Sequence, residues 1–114
     1  MTSPITTHIL DTGAGKPASG VKVILDFFDD GNWRELSVKA TNEDGRVADL
    51  LSEDVDFHSG LYRLRFATGT YYQGRKEPTF YPEVSIVFEV LDPSQHYHVP
   101  LLLNRFGYST YRGS

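Results

Sequence analysis

Two histidines separated by one residue are the side chains of this sequence best suited to proton transfer. His96 and His98 lie in a segment with an alternating apolar pattern, and residues two apart in a β-strand project from the same face. An imidazole with an unperturbed pKa of about 6.5 accepts or donates protons near neutral pH. An isolated pair of this kind is more often two exposed residues on an edge strand.

A third histidine and an arginine could join that pair. His8 lies in the first predicted strand, on the same face as Thr6 and Leu10. Arg46 directly follows a predicted turn, where its guanidinium could bind a planar anion through paired donors. The alternative for Arg46 is a surface ion pair with a neighbouring acidic residue.

The last four residues are Tyr111-Arg112-Gly113-Ser114, which combine an aromatic ring, a cation and a small hydroxyl residue. Chain ends are usually poorly ordered. A compact end of this composition therefore predicts that these residues line a pocket. The alternative is a last edge strand that stops there.

The elements that position these residues are predicted to be short strands. The apolar pattern has a period of two nearly everywhere, and clusters of turn-forming residues interrupt it, which predicts an all-β two-sheet sandwich. Eight strands are expected, at 5–10, 21–29, 33–40, 46–51, 61–67, 84–91, 96–103 and 108–113. One or two helical turns are expected within 68–76, and residues 30–32 are expected to form a hairpin turn.

Composition excludes several classes of function. The 114 residues predict a single domain, 1–114, and a net charge of −4 argues against a nucleic-acid or anionic-membrane partner. The absence of cysteine excludes disulfides, thiolate metal sites and cysteine nucleophiles. The sequence shows neither a targeting signal nor an apolar run of membrane-spanning length, so the cytoplasm is the expected compartment.

Five segments together are similar to one known family. They are Thr7-His8-Ile9-Leu10-Asp11-Thr12, Gly15-Lys16-Pro17-Ala18, Asp44-Gly45-Arg46, the run from His96 to Leu103, and Tyr111-Arg112-Gly113-Ser114. From Ile5 to Ser114 the chain resembles the 5-hydroxyisourate hydrolases, transthyretin-related enzymes of urate breakdown. The last four residues discriminate best, because the transthyretins that carry hormones are not expected to end this way. One departure is Asn104-Arg105, where many members have Ser-Pro.

The resemblance implies a transthyretin-like two-sheet β-sandwich of eight strands with one short helix, assembled as a homotetramer around a central channel. It implies hydrolysis of the N1–C6 amide of 5-hydroxyisourate to 2-oxo-4-hydroxy-4-carboxy-5-ureidoimidazoline, with no metal or other cofactor. By resemblance the catalytic residues are His8, Arg46, His98 and Ser114, and the substrate-binding residues are Arg46, Tyr111, Arg112 and Gly113. His96 inherits no role, and which histidine is the base is left open. Some members of the family are peroxisomal, so the peroxisome is the alternative compartment.

Two other functions are weighed against this one. His8, His96 and His98 could form a three-histidine zinc site with an open position for water. A transthyretin-like protein could also hold a small aromatic ligand in its channel without converting it.

Overall fold

Two β-sheets packed face to face make up most of the protein. The structure is a computed structural model, and it describes residues 3–114. The strands are β1 (Ile5–Asp11), β2 (Lys16–Pro17), β3 (Lys22–Asp29), β4 (Asn32–Ala40), β5 (Arg46–Val47), β6 (Gly60–Phe66), β7 (Val84–Val90), β8 (Tyr97–Asn104) and β9 (Gly107–Thr110). A single short helix, α1 (Thr68–Gly74), lies between β6 and β7 in this part of the chain. The predicted two-sheet sandwich with one short helix is confirmed.

The first sheet has the strand order β2-β1-β8-β9, with β5 also paired to β1, and the second has the order β4-β3-β6-β7. Alternate residues of β1 and β8 face the second sheet, among them the fully buried Ile9 and Leu101. Leu25 and Leu64 of the second sheet are fully buried as well, and each such side chain contributes about 1.5–3 kcal/mol on burial. The side chains between them on β1 and β8 therefore project from the outer face of the first sheet.

The strand prediction is wrong in two places. The predicted strand 46–51 ends at Val47, because the following segment leaves the sheet and buries Leu50 and Leu51 from a loop. The stretch after β1, expected to be a loop, contains β2, whose Pro17 pairs with Leu10 at the sheet edge. An edge strand tolerates proline because it needs no hydrogen-bond donor on its outer side. The described chain therefore has nine strands rather than eight.

The turn between β3 and β4 is shorter than predicted. Asp30 and Gly31 both have positive φ, at 51° and 81°, as a two-residue hairpin turn of the favoured hand requires. Asn32 is already the first residue of β4. The hairpin is thus confirmed, with Asp-Gly rather than Gly-Asn at its tip.

A buried carboxylate on β3 ties two strands of the second sheet together. Asp26 is only 1% exposed and accepts hydrogen bonds from Arg65 Nε at 2.7 Å and Arg63 Nε at 2.9 Å. Burial alone would raise the pKa of Asp26, but the hydrogen bonds and charges of the two arginines outweigh burial and hold this pKa below its ordinary value. The ion pair therefore stabilises the folded state wherever Asp26 is ionised.

Candidate active site

β1 and β8 run parallel and side by side, which brings residues from opposite ends of the chain together. Their register places Thr6 opposite His98 and His8 opposite Pro100. Thr6 Oγ1 lies 2.8 Å from His98 Nδ1 and 3.0 Å from His96 Nε2. The predicted common face of His96 and His98 is confirmed, and Thr6 joins the two rings there.

Arg46 reaches this face through a tight loop. β5 pairs antiparallel with β1, so that Arg46 is directly opposite His8. Gly45 has φ 74°, and a Cβ there would collide with the carbonyl oxygen of Ile9, so the position requires glycine. Its backbone N–H donates to the Asn42 carbonyl oxygen at 2.9 Å, and its own carbonyl oxygen accepts from the Ile9 N–H at 2.8 Å. Asn42 Oδ1 accepts a hydrogen bond from the Arg46 backbone N–H at 3.0 Å and closes the loop.

The predicted site residues of the chain end separate into two groups, of which the first contacts His98. The Gly113 backbone N–H donates to the His98 carbonyl oxygen at 2.8 Å, and the two residues form an isolated β-bridge. A Cβ on Gly113 would lie 2.6 Å from Cδ2 of the His98 ring, so glycine is needed for this close approach. Ser114, the next residue, is exposed.

The second group lies beside the start of β8. Arg112 Nη2 donates to Gln95 Oε1 at 3.0 Å and to the His96 carbonyl oxygen at 3.3 Å. Its guanidinium carbon is 4.4 Å from the centre of the Tyr97 ring, a cation–π distance. Arg112 and the 58% exposed Tyr111 also line a cavity of about 340 Å³ with β7, on the side of β8 that carries Tyr97. In this chain, Arg112 is thus engaged with β8 and its preceding turn.

Electrostatics connect His8, His98 and Arg46 into one site. Burial lowers the pKa of His98 most, and the charge of Arg46 lowers it further, followed by His8 and His96. Burial and Arg46 also lower the pKa of His8, against an opposing effect of Asp44. Both imidazoles are therefore kept in the neutral, proton-accepting form near pH 7, with a fixed cation beside them.

The arrangement of the histidines bears on the zinc site considered from the sequence. Among residues 3–114, no three His, Asp or Glu side chains are placed to share a metal ion. The three-histidine zinc site considered from the sequence is therefore not assembled. Within the same range, no helix is long and apolar enough to cross a membrane.

The sequence identified His8, Arg46 and His98 as candidates, and the structure brings all three to one sheet face. Thr6 was missed as a member of the site. Alternation already placed it on the His8 face, but its contact with His98 depends on the register of two strands far apart in sequence. Neutral imidazoles can transfer protons, and a guanidinium can bind a developing oxyanion.

Fold and site together define a transthyretin-type β-sandwich with a histidine–arginine site on the outer face of one sheet. The model of the HIUase/Transthyretin family matches residues 5–113, and the chain belongs to this family. The 5-hydroxyisourate hydrolase of Salmonella typhimurium is 46% identical over 110 residues, which cover 96% of this chain and 80% of that protein.

Two solved structures show how far overall shape can distinguish a 5-hydroxyisourate hydrolase from a transthyretin. The 5-hydroxyisourate hydrolase of Klebsiella pneumoniae has a TM-score of 0.84 at 34% identity, covering 96% of this chain and 98% of that one. Sea bream transthyretin in complex with thyroxine has a TM-score of 0.91 at 29% identity, covering 97% and 95%. The transthyretin-like fold is therefore confirmed, whereas shape alone favours neither the enzyme nor the carrier. The site residues must distinguish them.

Proposed function

We propose that this protein hydrolyses 5-hydroxyisourate, opening its six-membered ring at the N1–C6 amide to give 2-oxo-4-hydroxy-4-carboxy-5-ureidoimidazoline in urate degradation to allantoin. The observation that carries the proposal is the meeting of His8, Arg46 and His98 on one sheet face. The 46% identity to the Salmonella typhimurium hydrolase supports it. No metal or other cofactor takes part.

The residues of the site supply each step of this hydrolysis. One of His8 and His98 removes a proton from water, whose oxygen then bonds to C6 of the substrate. Arg46 stabilises the negative charge that develops on the carbonyl oxygen. The C6–N1 bond then breaks as the proton taken from water reaches N1, delivered by the imidazolium that accepted it or relayed through the other imidazole. The Ser114 hydroxyl orients the water or one of the rings.

The segment 111–113 completes the substrate site in this proposal. Gly113 supports the His98 ring and leaves room for the substrate beside it. Tyr111 is exposed on the side of β8 that carries Tyr97, and we propose that its ring contributes to substrate binding from the chain end. Arg112, held by Gln95 and by the Tyr97 ring on that side of β8, keeps the segment in place.

We also propose that the protein is a homotetramer. The outer sheet face that carries His8 and His98 is open in a single chain, whereas hydrolytic sites work best when bulk water is excluded. A second copy can cover this face, and Phe80, which is 71% exposed, offers apolar surface for subunit contact. Sedimentation equilibrium should give about four times 12.9 kDa. The compartment stays a prediction, the cytoplasm, with the peroxisome as the alternative.

The experiment that tests the activity follows the ultraviolet absorbance of 5-hydroxyisourate freshly made from urate with urate oxidase. The spontaneous decay is subtracted, and excess chelator is present in a parallel series. We expect an acceleration proportional to protein concentration and equal in both series. Loss of activity in chelator would contradict a metal-independent reaction.

A carrier that binds without turnover is the second candidate, because the TM-score to transthyretin with thyroxine is 0.91. Absence of acceleration by a folded, assembled sample would favour the carrier. Truncation of Ser114 adds a second distinction. In the enzyme it should lower the rate of ring opening, whereas in a carrier it should change only ligand affinity.

A further inference from the structure

The Thr6 hydroxyl is the only described side-chain group in hydrogen-bond contact with both His96 and His98. Thr6 is 8% exposed, and its Oγ1 lies 3.0 Å from His96 Nε2 and 2.8 Å from His98 Nδ1. A hydroxyl carries one proton and can donate it to only one ring. The direction of this donation therefore depends on which of the two nitrogens is unprotonated.

Two hydrogen-bond arrangements satisfy the buried Thr6 hydroxyl. When His96 is neutral with a free lone pair on Nε2, Thr6 donates to His96 and accepts Nδ1–H from His98. His98 then has no proton on Nε2 and can act as a base. When His96 is protonated, both its nitrogens carry protons, so its Nε2–H must donate to Thr6. The Thr6 proton then turns to His98 Nδ1, and the His98 proton resides on Nε2.

We propose, on the basis of the function proposed above, that Thr6 is a positioning residue that couples protonation of His96 to the tautomer of His98. His98 presents a bare Nε2 to the substrate while His96 is neutral. It presents an Nε2–H once His96 is protonated. This assigns a part to His96, for which the family resemblance implies none.

The surroundings of the two rings fit this coupling. Among residues 3–114, His98 Nε2 has no hydrogen-bond partner, so it is free for a reacting group. Arg46 and His8 are the charged and titratable groups that face His98 from β5 and β1, and Arg112 lies against the His96 carbonyl oxygen. Burial and the charge of Arg46 lower the pKa of His98, which favours its neutral tautomers.

Nitrogen NMR of the assembled protein tests the coupling directly. Long-range proton–nitrogen spectra of ¹⁵N-histidine-labelled protein distinguish the two tautomers between about pH 5 and pH 8, the range in which histidine titrates. In the native protein, His98 should change from Nδ1–H to Nε2–H with the same midpoint as His96 protonation. In Thr6→Val, the His98 tautomer should no longer follow His96, and Thr6→Ser should restore the coupling.

Two further variants exclude effects of folding. Thr7→Val removes a hydroxyl from the same strand but from its core face, where Thr7 Oγ1 donates to the Val99 carbonyl oxygen at 2.6 Å. This control should keep the His98 switch. His96→Gln replaces an exposed imidazole with an amide that cannot be protonated. In this variant His98 should keep one tautomer over the same pH range.

The outcome that overturns the coupling is a His98 tautomer that stays constant through His96 protonation in the native protein. The same switch persisting in Thr6→Val would overturn it too. For ring opening, we expect Thr6→Val to lower kcat at least about tenfold with KM nearly unchanged. Failure of the native protein to open the ring would refute the proposed function alone, because the NMR result is independent of turnover.

Discussion

The contact between Gly113 and His98 makes a quantitative prediction for a single added methyl group. In Gly113→Ala, the new Cβ would lie 2.6 Å from His98 Cδ2 and 3.3 Å from Cγ of the same ring. Carbon atoms in favourable contact are about 3.5–4.0 Å apart. The imidazole and the chain end must therefore separate by about 1 Å.

The expected loss of catalytic rate follows from the geometric precision that proton transfer requires. A misplacement of about 1 Å in a catalytic constellation lowers rates by about 100-fold. This corresponds to about 2.7 kcal/mol in activation free energy. The loss should appear mainly in kcat, because the displaced ring acts on the reacting atoms. The overall fold should persist, since Gly113 lies outside the core.

The assay is the 5-hydroxyisourate decay measured for Gly113→Ala beside Gly107→Ala. Gly107 starts β9, the strand that leads to the same chain end, and an added Cβ there meets no atom within 4 Å. We expect this control to retain nearly native turnover. A Gly113→Ala protein within about twofold of native kcat, against the 100-fold loss expected from a 1 Å displacement, would refute the argument.

Three other substitutions test the site and the fold. His98→Asn should lower the rate of ring opening about 10²- to 10⁴-fold, whereas the loop variant His58→Asn should keep the native rate. Near-native turnover of His98→Asn would disprove a catalytic role for His98. Arg46→Gln removes a charge that lowers the pKa of His8 and His98, so both pKa values should rise. The acid limb of the pH profile of kcat/KM should therefore move to higher pH, and an unmoved limb would contradict this effect of Arg46. Asp26→Asn should lower the free energy of unfolding by about 3 kcal/mol at neutral pH, as measured with urea. This difference should vanish as pH falls through the lowered pKa of Asp26, where the native carboxylate is protonated too; a difference that persists in acid would argue against the ion pair.

The error at residues 46–51 shows where local pattern stops being informative. Apolar residues continue after Arg46, and alternation predicted that the strand continues with them. Leu50 and Leu51 are buried as expected, but they reach the core from a loop. Burial of a side chain does not require a ladder of backbone hydrogen bonds, so the same pattern fits a strand or a packed loop.

The faces of β1 and β8 could be read from the residues alone, because alternation is a property of consecutive residues in an extended chain. This is why His8, His96 and His98 could be proposed as proton-transfer residues and why the two-sheet architecture was predictable. Arg46 could be proposed as well, since its turn is local.

Contacts across strands depended on the tertiary structure. Thr6 meets His98, 92 residues away, only because β1 and β8 pair in parallel with one particular register. A shift of one residue would turn the opposite face outward and separate the two side chains. The approach of Gly113 to the His98 ring, and of Arg46 to His8, likewise follows from how the strands and the chain end pack together. Residue types and spacing therefore determined which chemistry was available, and the packing of distant strands decided which groups perform it together.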